Sequence, residues 1–183
     1  ANADLYADWL PVEAGGAALS GARRSRWEAE RDALIEQAMS FPRDFTLRDY
    51  HAENLLWLGD NRIALLDFQD AVRGWDAWDM AMLTQDARRE VSPAASEAAI
   101  RHYLDETGKE RDAFEERLAV IGALNALRIA GVFSRLQHRD GKARYGLFQP
   151  RQLKLLARNL SHPALAPMAA FVRETTPFVF EDS

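Results

Sequence analysis

The chain has 183 residues, 48% of them hydrophobic, enough for one domain of ordinary size with a buried core. It contains no cysteine, which excludes a disulfide framework and any cysteine-based metal or redox site. The formal net charge of −5 argues against nucleic acid as a partner, and no apolar run approaches a membrane span or a signal peptide, so a cytoplasmic location is expected.

In chain order, Asp4 to Leu10 is expected to form a short helix stopped by Pro11. Residues 11–19 read as a loop. Gly16 to Gly21 imitates half a phosphate-binding loop, but Ala22-Arg23 follows instead of Lys-Ser/Thr, and no strand precedes it. Ser20 is placed to cap a helix running to about Ser40, with Trp27, Leu34, Ile35 and Ala38 on its apolar face. Residues 55–58 and 63–66 are apolar runs of strand length around Gly59-Asp60-Asn61-Arg62, the pattern of a hairpin. Asp76, with Asp79 three residues on, is placed to cap a helix reaching about Glu90. Helices near 93–106 and 111–137 follow, the second apolar at Leu118, Ile121, Leu124 and Ile129 and expected to run through the core. Shorter helices near 150–160 and 164–174 close the chain. The expected fold class is mainly α with a small β-hairpin, α+β overall, in a single unit without repeats.

Function concentrates in residues 47–70, LRDYHAENLLWLGDNRIALLDFQD. Asp49 precedes Asn54 by five residues; a hairpin follows, and Asp67 comes at its end. Phosphoryl transfer on a kinase-type scaffold needs these parts: a carboxylate to accept the hydroxyl proton and two oxygen ligands for magnesium. Pairing Leu58 with Ile63 would put Asn54 opposite Asp67, and directly paired residues have β-carbons roughly 4.5–5.5 Å apart. Both strands are apolar on both faces, so burial of the hairpin is expected. Asp49 lies in an aperiodic loop, where a rigid scaffold commonly carries a base.

Several neighbours are candidates for contact with substrate or phosphate. Arg48 and His51 flank Asp49. Asp70 stands three residues past Asp67, either in the outer shell of the metal or capping a turn. Asp86 and Arg88 sit on a helix leaving the site. Trp75 and Trp78 are expected in the core or a groove wall. His138-Arg139-Asp140 spells the tripeptide of a protein-kinase catalytic loop, but Tyr145, not asparagine, stands five residues after Asp140. The tripeptide is expected to be a solvated helix end.

The 47–70 stretch resembles the aminoglycoside phosphotransferase family of kinase-like enzymes, whose signature is H-x-D-x-x-x-x-N followed by a strand ending in I-D. Leu47 stands where that family usually has histidine. The resemblance implies Asp49 as catalytic base, Asn54 and Asp67 as magnesium ligands, and Asp79 as a brace behind the catalytic loop. The variant LRDYH-x-x-N-L-x-W-L, with LLDFQDA, QDARR-V, ALRIAGVFSRL, RDGKARY and SHPALAPM further on, is similar to a narrower branch. Its members phosphorylate the anomeric hydroxyl of N-acetylmuramate and N-acetylglucosamine during cell-wall recycling.

The implied reaction uses ATP and Mg2+, with a nucleotide and a small hydroxyl-bearing acceptor as partners. Aminoglycosides and choline- or homoserine-like alcohols are the alternative acceptors; a non-catalytic kinase-like scaffold and a magnesium-dependent phosphohydrolase are alternative functions. The glycine-rich loop and strand lysine that such kinases use for the phosphates have no counterpart in residues 1–183. The chain is therefore expected to be the C-terminal lobe of a kinase-like protein, partnered by its own N-terminal nucleotide-binding lobe.

Overall fold

Helix limits in the computed structural model, which describes residues 3–60 and 62–181, follow capping chemistry visible in the sequence. Helix α1 spans Leu5–Trp9 and tightens into a 3-10 turn over Leu10–Ala14. Pro11 lies in the first turn of that segment, where its missing N–H costs nothing. Helix α2 spans Gly21–Met39, with Ser20 extended at its N-cap but without a capping bond from its hydroxyl. Helix α4, Pro93–Thr107, starts where Ser92 Oγ accepts the Ala95 N–H (3.2 Å) and Pro93 opens the first turn. It stops at Gly108, whose φ of 66° ends the helix in the left-handed region. Helix α5, Arg111–His138, is capped by the Glu110 carboxylate, which accepts from Asp112 N (3.0 Å) and Ala113 N (2.7 Å). Helices α6 (Gln149–Leu160) and α7 (Ala166–Thr175) complete the set near the expected positions.

Helix α5 is the spine. It buries Phe114, Leu118, Ile121 and Leu127 and packs against α1 and α6. By length and composition it is apolar enough to cross a membrane, contrary to the sequence expectation, but 72% of its apolar window is buried inside the fold. A core helix that is apolar all round has this composition. The two ends of the chain meet beside it. Tyr6 stacks on Trp27 at 4.5 Å, Phe171 lies 6.0 Å from Trp27, and the Tyr6 hydroxyl meets Thr175 and Thr176 Oγ1 at 2.8 Å each. Burial pushes the Tyr6 phenol up to about 12.

Two small antiparallel sheets carry the loop of interest. Strand β1 (Arg43–Thr46) pairs with β4 (Val72–Trp75), and β2 (Leu55–Gly59) pairs with β3 (Arg62–Leu65). The β1–β4 pair was not expected, because its four-residue strands mix charged and apolar positions without a clear period.

The hairpin differs from expectation in two ways. Trp57, not Leu58, pairs with Ile63, because the register shifts between Trp57 and Gly59. Leu55 pairs with Leu65, and Leu66 N–H donates to Asn54 C=O (2.9 Å), so Asn54 faces Leu66 and Asp67 falls one residue beyond. The hairpin is also exposed rather than buried: Leu56, Leu58, Ile63 and Leu66 are all uncovered, and Trp57 is 66% exposed. Asn61 of the expected turn lies outside the described residues.

Helix α3 is shorter than expected, Trp78–Thr84, and Ala77 rather than Asp76 holds its N-cap. The Asp76 side chain, 1% exposed, is instead sequestered by Lys109 Nζ and Arg117 Nε at 3.2 Å each. Two cations outcompete a helix N-terminus for one carboxylate.

Close approach of α5 to α1 depends on Gly131, where an added β-carbon would run into the Leu5 carbonyl and the Tyr6 nitrogen. These are backbone atoms and cannot swing aside. Gly131→Ala is expected to destabilise the fold by about 1–3 kcal/mol, seen as a lowered urea midpoint.

Candidate functional site

The loop from Leu47 to Asn54 connects β1 to β2, and the first turn of α3 holds it. One Asp79 oxygen accepts Leu47 N–H at 2.6 Å and the other accepts Arg48 N–H at 3.0 Å. Trp78 Nε1–H donates to Arg48 C=O at 2.8 Å. The Arg48 peptide is thus fixed from both sides. Its φ of 74° lies in the left-handed region, which costs a side-chain-bearing residue roughly 1–2 kcal/mol. Burial raises the Asp79 carboxyl pKa, against the two backbone bonds that lower it.

Asp49 comes next, and the turn after it is closed on itself. Asn54 Nδ2 donates to Asp49 C=O (2.9 Å), as does His51 N–H (3.1 Å), while Asn54 N–H reaches His51 C=O (2.9 Å). His51 Nδ1 accepts the Glu53 N–H (3.3 Å), and Arg88 Nη2 lies 3.3 Å from its Nε2. That atom faces the Asp49 carboxylate at 3.3 Å. The Asp49 backbone and Asn54 are therefore set relative to each other within this turn.

Asp49 and His51 form one wall of an open cavity of about 260 Å3, completed by Asp86, Arg88, Asn125 and Arg128. Met82, Ile129, Phe133 and Tyr145 supply apolar surface. Such a mix of apolar wall and a few convergent polar groups is typical of small-molecule sites. Asp86 is 6% exposed; its Oδ1 accepts the Arg88 N–H (2.8 Å), and its Oδ2 has no hydrogen-bond partner. Its segment is held by Arg151 Nε–H to Asp86 C=O (2.9 Å) and by a buried amide pair, Gln85 with Asn159 (2.7 and 3.2 Å). Arg88 is occupied, with Glu53 at 2.9 Å and Asp86 at 3.9 Å. Arg128 donates to Asn125 Oδ1 (2.8 Å); burial lowers its pKa and the Asp49 charge raises it.

The sequence candidates divide into two groups. The structure brings Asp49, His51, Asp86 and Arg88 together around the cavity. Arg48 lines a different cavity with Arg43, Arg73 and Trp75, on the other side of its fixed peptide. Asp70 is exposed at the end of the hairpin and makes no hydrogen bond or ion pair with the described residues. His138 meets Glu13 at 3.2 Å and Arg139 meets Asp140 at 2.6 Å, a helix end outside the cavity. Trp75 and Trp78 pack against the core at 6.0 Å from one another. Asn125, Arg128 and Tyr145 were not singled out as site residues from sequence, although ALRIAGVFSRL and RDGKARY, which hold Arg128 and Tyr145, carry part of the family resemblance.

Among the described residues no group of three or more His, Cys, Asp or Glu could hold a metal. Asn54 and Asp67 supply one amide and one carboxylate. Since Asn54 Nδ2 is turned to Asp49 C=O, its Oδ1 is left without a hydrogen bond. Asp67 adopts φ of 56° and accepts Gln69 Nε2 on one oxygen (2.7 Å), leaving the other. This sparse, all-oxygen donor set fits magnesium, which typically completes its shell with water and phosphate oxygens.

Residues 3–116 match the phosphotransferase enzyme family. The chain belongs to that family. Among curated proteins it is 40% identical over 179 residues to an N-acetylmuramate/N-acetylglucosamine kinase of Caulobacter vibrioides, covering 95% of this chain and 49% of that one. A protein of the same name from Pseudomonas aeruginosa is 32% identical over 172 residues, covering 90% and 51%. The Neisseria meningitidis counterpart is 29% identical over 179 residues, covering 93% and 53%. The chain spans about half the length of the curated relatives it matches. In this family member, the mostly helical fold with small antiparallel sheets agrees with a kinase-like phosphotransferase.

Removing the Asp79 carboxylate would leave two amide donors unpaired, at about 1–3 kcal/mol each where they are shielded from water. In Asp79→Ala, amide exchange at Leu47 and Arg48 is expected to accelerate at least about 10-fold, while α5 amides keep their protection. Hydrogen-exchange NMR or mass spectrometry on wild type and Asp79→Ala would show it.

Proposed function

We propose that this chain is the acceptor-binding C-terminal lobe of an ATP-dependent phosphotransferase acting on the anomeric hydroxyl of an amino sugar, N-acetylmuramate or N-acetylglucosamine. The observation that carries the reading is Asp49, fixed on its loop beside Asn54 and presented to a cavity with both charged and apolar walls. The names of the relatives support an amino sugar as the acceptor. The exposed apolar hairpin supports an N-terminal nucleotide-binding lobe as its cover.

In this mechanism the sugar occupies the cavity with its reacting hydroxyl on the Asp49 carboxylate. As the sugar oxygen bonds to the γ-phosphorus, the bond from phosphorus to the bridging oxygen of ADP breaks. The hydroxyl proton passes to Asp49, which later releases it to water, and ADP leaves with the electron pair of the broken bond. His51 orients the Asp49 carboxylate from the side, and Asp79 with Trp78 keeps the loop from relaxing away. Asn54 and Asp67 would hold magnesium, which neutralises charge on the phosphate oxygens. Asp49 contributes about 10²–10⁴-fold by general base catalysis.

Two outcomes test this in the full-length, two-lobed protein. Asp49→Asn is expected to retain nucleotide affinity while losing at least about 10²-fold in kcat, measured with an amino-sugar acceptor and phosphorus NMR to locate the phosphate. Near-normal turnover removes Asp49 from the role. Asp67→Ala is expected to raise the magnesium concentration needed for nucleotide binding by at least about 10-fold, and an unchanged requirement rules out the ligand.

A further inference from the structure

We infer that Arg128 is the specificity-determining cation of the acceptor cavity and recognises a carboxylate on the sugar, while Asp86 takes a hydroxyl or amide hydrogen of the same ligand. This rests on the amino-sugar reading and deepens it.

The argument starts from which cations are already committed. Arg88 has Glu53 and Asp86, and Arg48 belongs to another cavity. Among the described residues Arg128 lines the cavity with no carboxylate within ion-pair distance, and its guanidinium bonds to the neutral Asn125 amide. A guanidinium has five donors in a planar fork, and a partly desolvated one without an anion is left costly until a ligand supplies it. Asp49 attracts it from across the cavity but does not pair with it. A carboxylate is the planar anion that matches the fork.

Asp86 is the complementary half. It is 94% shielded from solvent by residue, and Oδ2 has no hydrogen-bond partner although the side chain lines the same cavity. Buried acceptors are normally paired, and here a ligand donor would complete it. One cavity thus offers an acceptor for N–H or O–H, a cation for a carboxylate and a base for the reacting hydroxyl. The two sugars in the names of the relatives share the pyranose and the N-acetyl amide. They differ in one group: N-acetylmuramate carries a lactyl ether carboxylate that N-acetylglucosamine lacks. Asp86 serves what they share, and Arg128 serves what separates them.

The test compares wild type, Arg128→Gln and Arg128→Lys in the full-length protein. The expected result is a fall of about 10- to 100-fold in the ratio of kcat/KM for N-acetylmuramate over N-acetylglucosamine in Arg128→Gln, carried mainly by KM. Arg128→Lys, which keeps the charge and loses the fork, should recover part of the ratio. An unchanged ratio in both variants overturns the proposal. So does an equal loss in kcat for both sugars, which would put Arg128 on the transferring phosphoryl group.

Titration calorimetry with the two free sugars separates this from the reaction itself. If wild type phosphorylates neither sugar, the amino-sugar kinase reading fails. The carboxylate site still stands if N-acetylmuramate binds more tightly than N-acetylglucosamine and Arg128→Gln abolishes the difference. Equal binding of both sugars to wild type overturns it.

Discussion

Everything at the site depends on one residue held against its own backbone preference. Arg48 sits in the left-handed region, which for a side chain with a β-carbon costs roughly 1–2 kcal/mol, and it directly precedes Asp49. Three hydrogen bonds from the first turn of α3 offset that cost: two from Leu47 and Arg48 amides to Asp79, and one from Trp78 to the Arg48 carbonyl. Bonds to a carboxylate are stronger than those between neutral groups, so the clamp opposes the strain. Its sign with pH is instructive. The Asp79 pKa is raised by burial, so the folded state binds a proton on this group more readily than the unfolded chain. Its contribution to stability is largest below the unfolded value and is lost as pH rises through the folded one. The ionised brace is kept at some expense in stability, as expected for a group whose work is positioning.

The clamp works because α3 is itself fixed at both ends. At its start, Asp76 is buried between Lys109 and Arg117, which ties the β4–α3 junction to the α4–α5 turn and the head of the spine helix. Removing one member of such a group typically costs about 3–5 kcal/mol, because the others are left charged and dry. At its end, the Gln85–Asn159 amide pair joins α3 to α6. Between these anchors the segment turns Asp79 toward the loop and, just past its end, sets Asp86 in the cavity wall. Seven residues of helix, Trp78–Thr84, thus couple the position of the Asp49 loop to the position of the cavity wall.

What was legible in the sequence follows from the range of the interactions involved. The long helices were, since Ser92, Gly108 and Glu110 act on their immediate neighbours and the apolar period of α5 repeats over many turns. The Asp49–Asn54 relation was legible too, being set within six residues. The hairpin register was not, because one extra residue between Trp57 and Gly59 shifts every pairing beyond it and nothing local marks a bulge. The role of Asp76 was misjudged since Lys109 and Arg117 lie more than thirty positions away. Arg48 gave no sign of a left-handed backbone, and Arg128 was not singled out. The cavity is assembled from the loop, the end of α3, α5 and Tyr145, so no single window of sequence contains it.

The hairpin shows how a failed expectation can be informative. Its residues are apolar on both faces, a pattern that predicts burial, yet Trp57 and Phe68 are 66% and 60% exposed and Ile63 is 52%. Contiguous apolar surface of this kind is unusual on a protein exterior and marks a face that meets something else. On the helical side, by contrast, Trp27, Phe114 and Phe171 are fully enclosed, so the chain has no general shortage of cover. The uncovered face is also the one that carries Asn54 and Asp67 at its ends. On the proposed reading both facts have one cause: a hairpin that offers oxygen ligands to a nucleotide's metal must also lie under the nucleotide and the lobe that grips it. On that reading the exposed side chains of the hairpin serve that contact.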